Sequence, residues 1–139
     1  IQTYRPWNHA VRCAAERKPE EFYAREIENR KAMGFPPFSR MIRVVFRSKE
    51  GKKSGDFALK FSEHLKEAAA SFPENSTGLT VLGPAECPLS LISGNYRYHL
   101  LVLSENFRLL HSVVKNTASA VKPPGGVYTE IDVDPVALM

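Results

Sequence analysis

Apolar and polar residues alternate from Arg40 to Arg47. Ile42, Val44 and Phe46 fall on one side, and Met41, Arg43, Val45 and Arg47 on the other. That rhythm predicts a half-buried strand. The polar run Lys49–Gly55 then reads as a mobile basic loop. From Asp56 the period changes: Phe57, Phe61, Leu65, Ala68 and Phe72 form one helical stripe, which Pro73 stops. Pro73–Gly78 reads as a polar connector, and Leu79–Leu82 as a short strand closed by Gly83-Pro84. Ala85–Ser93, with Pro88 inside it, reads as irregular. Gly94-Asn95 can supply a left-handed turn ahead of the apolar run Leu100–Leu103, the expected central strand. Ser104 is placed to cap a helix that buries Phe107, Leu110, Val113, Val114 and Val121. Pro123-Pro124-Gly125-Gly126 ends that helix, and Val127–Val133 alternates again as a last strand.

The pattern before Arg40 differs. Ile1–Tyr4 reads like the end of a strand. Asn8 to Val11 can open a short helix reaching about Arg17. Pro19-Glu20-Glu21 opens a second helix, with proline at the first turn and acids near the positive end of the dipole. Gly34 and Pro36-Pro37 end it. The division is therefore a helical lead-in over residues 1–34 and an α+β domain over 35–139. From Arg40 the order is β-α-β-β-α-β, the ferredoxin-like arrangement. Its two amphipathic helices should cover one sheet face and leave the other open.

Composition adds limits. The 139 residues carry 24% charged side chains and a formal net charge of +4. This mild basic excess is compatible with nucleic acid without being diagnostic. No apolar run reaches the roughly 18–20 residues of a membrane span, and the front shows no signal-peptide pattern. The chain begins at Ile1 rather than Met, which reads as a piece cut from a longer protein. Cys13 and Cys87 are far apart and read as reduced thiols, forming neither a disulfide framework nor a zinc site.

Candidate chemistry gathers on the sheet. With the even positions of the first strand inward, Arg43 and Arg47 lie on the open face. On the central strand, Leu101 and Leu103 compete with Leu100 and Val102 for the core. If Tyr98 goes inward with Leu100 and Val102, Arg97 and His99 join Arg43. Arg97 between Tyr96 and Tyr98 forms a cationic, aromatic mouth of the kind that single strands use, since bases stack on rings and phosphates meet cations. Lys52 and Lys53 can touch a phosphate backbone. The competing reading is neutralisation: Glu130 and Asp132 on the last strand can pair with Arg43 and Arg47. Gly51-Lys52-Lys53-Ser54 lacks the first glycine of a P-loop. Asp132 and Asp134 read as a strand-end turn, not a metal site. The histidines His9, His64, His99 and His111 have no ligand spacing, no Cys–His pairing is visible, and no catalytic residue emerges.

Several motifs occur in a familiar order. They are Ile1-Gln2-Thr3-Tyr4 with Pro6 and His9, Phe22-Tyr23 with Glu26 and Arg30, and Gly34-Phe35-Pro36-Pro37-Phe38. Leu82-Gly83-Pro84, Tyr96-Arg97 and Ile131-Asp132-Val133-Asp134-Pro135 follow. Together they resemble the C-terminal region of the primosomal protein N′ (PriA) family of bacterial replication-restart DNA helicases, across essentially the whole chain. The resemblance implies that residues 1–34 end the second helicase lobe. The rest would be a C-terminal domain like a ribosomal small-subunit protein of ferredoxin-like fold. It implies a cytoplasmic, nucleoid-associated protein that recognises branched or single-stranded DNA at stalled forks, unwinds it 3′→5′ with ATP, and meets other primosome proteins. ATP, Mg and zinc would belong to upstream parts of the intact protein, leaving this fragment without cofactor and without ATPase activity. The family's grip on the acidic C-terminal tail of single-strand-binding protein maps to Phe107 and His111, with Arg108 one step away. Neither position keeps the family's Arg or Gln. The alternative role is a scaffold that docks helicase lobes and single-strand-binding protein, with little DNA affinity of its own.

Overall fold

A computed structural model describes residues 1–71 and 78–138. The expected stripe position Phe72, the stop at Pro73 and most of the connector therefore lie outside the described residues. The chain divides into two compact units, Ile1–Phe38 and Ser39–Met139.

In the first unit Ile1–Tyr4 is irregular, not strand. Helix α1 (His9–Ala15) starts where the Asn8 side chain accepts the Ala10 N–H. Helix α2 (Pro19–Met33) has Pro19 and two acids in its first turn, and ends at Gly34 with φ 63°. There the Phe35 N–H reaches back to the Arg30 carbonyl at 2.8 Å, as a left-handed C-terminal cap requires. Among the described residues α2 buries none of its own side chains.

The second unit is a mixed α/β fold. Its elements are β1 (Arg40–Ser48), α3 (Gly51–Ala70), β2 (Thr80–Ile92), β3 (Asn95–Ser104), α4 (Phe107–Ala120) and β4 (Val127–Val133). The strands form an antiparallel sheet in the order β2-β3-β1-β4. In register, Ile42 lies beside Val102 and Val133, Val44 beside Leu100 and Ile131, and Phe46 beside Tyr98 and Thr129. That row turns toward α3 and α4. Its members on β1 and β3, Ile42, Val44, Phe46, Leu100 and Val102, pack with Phe57, Phe61 and Leu65 of α3 and with Leu110, Val113 and Val114 of α4, while Ile131 and Val133 on β4 stay exposed. Phe46 is the centre of this core, with ring centroids 5.4 Å from Phe57 and 5.1 Å from Phe61. Burying a side chain of this kind contributes about 1.5–3 kcal/mol.

Four local expectations are corrected. The basic stretch from Gly51 to Gly55 is the first turns of α3, not a loop, so the helix does not wait for Asp56. The reason lies across the fold. A Cβ added at Gly51 would stand 3.1 Å from Tyr96 Cγ, and one at Gly55 would stand 3.2 Å from Tyr98 Cζ. The glycines let two tyrosine rings of β3 lie on the helix backbone. Residues 85–92 are strand, not irregular; β2 carries its Gly-Pro and Pro88 by shifting register between Leu82 and Ala85 and between Glu86 and Leu91. The hairpin turn is Ser93-Gly94, with φ of 50° and 72°, and Asn95 already pairs with Ile92. Positive φ at both central residues is what a tight turn matched to strand twist needs. Finally, Asn106 caps α4 by accepting the Leu109 N–H at 3.1 Å, while Ser104 Oγ accepts the Asn106 N–H.

Candidate functional site

The pleat of β3 sorts the predicted site residues. Tyr96 and Tyr98 point to the helix side with Leu100 and Val102; Arg97 and His99 point to the far side. Both leucines of the competing choice, Leu101 and Leu103, share that far side. The Tyr-Arg-Tyr mouth is thus divided by the sheet. Tyr98 packs on Gly55 and donates its hydroxyl to Glu86 at 3.3 Å. Burial and the nearby Glu86 carboxylate raise its pKa. Tyr96 lies on Gly51 and stays 44% exposed.

The far side is not the bare surface that the strand pattern predicted. Met41, Arg43, Val45, Cys87 and Leu103 are all under 5% exposed. Arg43 is the main correction: it sits on the expected face, yet its guanidinium is inside. Its Nε donates to His99 Nδ1 at 3.3 Å and its Nη2 lies 3.5 Å from Cys87 Sγ. A donor aimed at Nδ1 fixes a neutral imidazole with its proton on Nε2. Burial first, then the Arg43 and Arg97 charges, hold the His99 pKa below the usual imidazole value.

The surface charge lies at one end of the sheet, where β1 ends and β3, β4 and α3 begin. There Arg47, Arg97 and Tyr128 are neighbours across three strands. Arg47 is bonded through Nε to Glu130, and its guanidinium lies 4.8 Å from the Tyr128 ring centre. The predicted competition from Glu130 therefore takes effect at Arg47. Arg97 Nη1 donates to the backbone carbonyl of Leu89 at 3.4 Å. Lys49 and Lys52 are exposed, and Lys53 pairs with Glu50 at 3.3 Å. The first turn of α3 has no side-chain cap from Glu50, so its N–H groups add positive potential at this end. Tyr128 stands on the outward parity of β4 and is 57% exposed, a ring the alternation of Val127–Val133 could have pointed to.

At the opposite end of the sheet lie the positions matched to tail binding. Phe107 is half-buried, His111 and Arg108 are exposed, and the Phe107 and His111 rings are 6.0 Å apart. The Arg40 guanidinium lies 4.4 Å from the Phe107 ring centre. Asp134 holds Arg40 through Nε and Nη2, and also accepts the Met41 N–H at 3.3 Å. The Arg40 hydrogen bond lowers the Asp134 pKa. The strand-end turn expected at Asp134 thus also anchors an arginine over an aromatic ring.

In the first unit, the expectation that no cysteine meets a histidine is corrected. His9 and Cys13 share one face of α1, with Nε2 and Sγ 3.5 Å apart. An i,i+4 step was the available signal. Among the described residues no helix is long and apolar enough to cross a membrane.

Comparison with known proteins gives a consistent result. Residues 31–136 match the family model for the primosomal protein N C-terminal domain. The replication restart protein PriA of Treponema pallidum (strain Nichols) is 40% identical over 139 residues, which is 100% of this chain and 20% of that protein. The PriA of Borreliella burgdorferi is 37% identical over the same share of each. The chain spans about a fifth of the length of these curated relatives. Among solved structures, the de novo designed protein Foldit4 has a TM-score of 0.51 at 11% identity, covering 71% of this chain and 99% of that one. That likeness concerns the fold alone.

Proposed function

The chain belongs to the PriA C-terminal domain family, and from that premise we propose that it is a DNA-contacting domain of a replication-restart helicase. In this reading the β-α-β-β-α-β unit is ferredoxin-like, with the sheet order β2-β3-β1-β4 supporting it. The strand and helix ends that carry Lys49, Lys52 and Arg97 meet the phosphates of branched or single-stranded DNA, and Arg47 and Lys53 join them by exchanging Glu130 and Glu50 for phosphate. Tyr128 and the exposed edge of Tyr96 offer rings to unpaired bases. Arg43 and Tyr98 leave the contact set, because one is buried beside His99 and the other lies on α3. His99 positions Arg43 instead of touching the ligand. The observation that carries the proposal is the cross-strand row Arg47, Arg97 and Tyr128, two guanidiniums and a ring side by side at the sheet end.

The test is the salt dependence of forked-DNA binding. Each phosphate contact contributes a slope of about −0.7 to −0.9 in log K against log salt. Arg97→Ala with Lys52→Ala should therefore weaken binding and flatten the slope by about 1–2. Unchanged affinity and slope in the double variant would reject these contacts.

A second reading has its own support. Arg40, Phe107, Arg108 and His111 form an aromatic and cationic patch suited to an acidic peptide tail such as that of single-strand-binding protein. Here the domain docks primosome partners and helicase lobes, and DNA affinity is small. A tail peptide that binds while forked DNA does not would favour it. ATP hydrolysis and strand separation are proposed for the rest of the longer protein, not for this domain.

A further inference from the structure

We propose that His9, Cys13 and Glu21 form a binding site for a thiolate-preferring divalent cation of the zinc class. One donor atom from each of the three lies within 4.8 Å of the others. The arrangement is built by local rules. Asn8 caps α1, so His9 and Cys13, four residues apart, stand one above the other on a single helix face. The chain then turns back, with the Lys18 N–H bonded to the Cys13 carbonyl at 2.8 Å. Pro19 starts α2 at once, and its first turn delivers Glu21 to the same spot. The sequence alone hid this convergence because Glu21 lies beyond a helix break from the other two.

The sulfur–nitrogen pair has the spacing of a chelate, and the Glu21 carboxylate, within 4.8 Å, would draw closer to a bound ion. Zinc sits about 2.3 Å from a thiolate sulfur and about 2.0–2.1 Å from an imidazole nitrogen. A tetrahedral angle between those two bonds puts sulfur and nitrogen about 3.5 Å apart. Cys13 Sγ and His9 Nε2 are 3.5 Å apart, with Nδ1 farther away at 3.8 Å. A thiol–imidazole hydrogen bond also permits this distance, but it uses no carboxylate. Glu21 supplies the third donor and a negative charge, which a cation satisfies together with the other two. Cys13 is 3% exposed while Glu21 is at the surface, so the thiol is shielded and the carboxylate side stays open to solvent. Three protein donors leave a fourth position for water or another ligand. This inference replaces the sequence expectation that Cys13 is an isolated thiol and that the fragment holds no metal.

The experiment uses the 139-residue chain, stripped of metal by chelator dialysis and titrated with Co²⁺ alone, then with Zn²⁺. One Co²⁺ per chain is expected, with a near-ultraviolet thiolate charge-transfer band and the intense visible bands of a tetrahedral ion. Zn²⁺ should erase both. Cys13→Ser should abolish the charge-transfer band, and Cys87→Ser should leave it unchanged. His9→Gln and Glu21→Gln should each weaken binding by about tenfold or more, at least the effect of losing a group that merely supports a ligand. Glu21 is exposed, so its variant keeps the test valid if Cys13→Ser fails to fold. Absence of the band in the unaltered chain, its loss with Cys87→Ser instead of Cys13→Ser, or undiminished affinity in both the His9 and Glu21 variants would overturn the site.

Discussion

On the helix side of β1, Phe46 sits in an apolar cluster with the Phe57 and Phe61 rings of α3 against it. On the other side of the same strand, Arg43 is about as well hidden but meets an imidazole and a thiol. Equal dryness therefore conceals unequal chemistry. The first side is held by area removed from water, which is non-directional. The second depends on hydrogen bonds that must be made, because a buried guanidinium left unmatched is costly. The contrast shows that alternation in a strand identifies two faces but does not say which of them meets solvent.

The comparison can be broken most severely at Phe46. Phe46→Ala should destabilise the fold by about 3–5 kcal/mol, the range for emptying a packed aromatic site, in urea unfolding followed by circular dichroism. Arg43→Ala should cost less, about 1.5–3 kcal/mol, as expected for a hydrogen bond to a charged group. His99→Ala on top of it should add less than its separate effect. Full additivity would mean that Arg43 and His99 do not act together.

A smaller and sharper effect concerns Gly55. A helical Gly→Ala change usually gains up to about 1 kcal/mol, but here the added methyl would meet Tyr98. The gain should appear only when Tyr98→Ala has removed the ring. A full gain in the unaltered background would show that the ring does not require the glycine.

The smallest expected effect is a pH dependence from His99. Its folded-state pKa lies below the ordinary imidazole value, because of burial and then of Arg43 and Arg97. Below about pH 6.5 the unfolded chain therefore binds more protons than the folded one, and stability falls with pH down to the folded pKa. Above that window the neutral ring contributes fully. His99→Gln should flatten this part of the stability–pH curve, and an unchanged curve would assign it to other groups.

Much of the second unit was legible. Parity placed Ile42, Val44 and Phe46 together and set Glu130 and Asp132 on the opposite side, within reach of the first strand that β4 does pair with. The stripes on α3 and α4 also pointed inward as their spacing required. What escaped depended on distant partners. Gly51 to Gly55 reads as a loop until two tyrosines from β3 are laid on it. Pro84 and Pro88 read as breakers until register shifts make room for them. Arg43 reads as a surface cation until Cys87 and His99 are brought across the strand. Arg97 and Lys52 stand at one charged end of the sheet, and of the two choices that strand parity left open for β3 the core takes Tyr98, Leu100 and Val102.

The outer strands of the sheet differ in a way that bears on how the molecule behaves when concentrated. β2 has two breaks in register and two prolines without an N–H, so it is a poor template for an added ladder. The opposite rim, β4, runs from Val127 to Val133 without such interruption. Of the two rims, β4 is therefore the better template for an added strand. A molecule with a single receptive rim can satisfy itself by two-fold pairing and then has nothing further to offer, whereas two such rims would permit endless stacking.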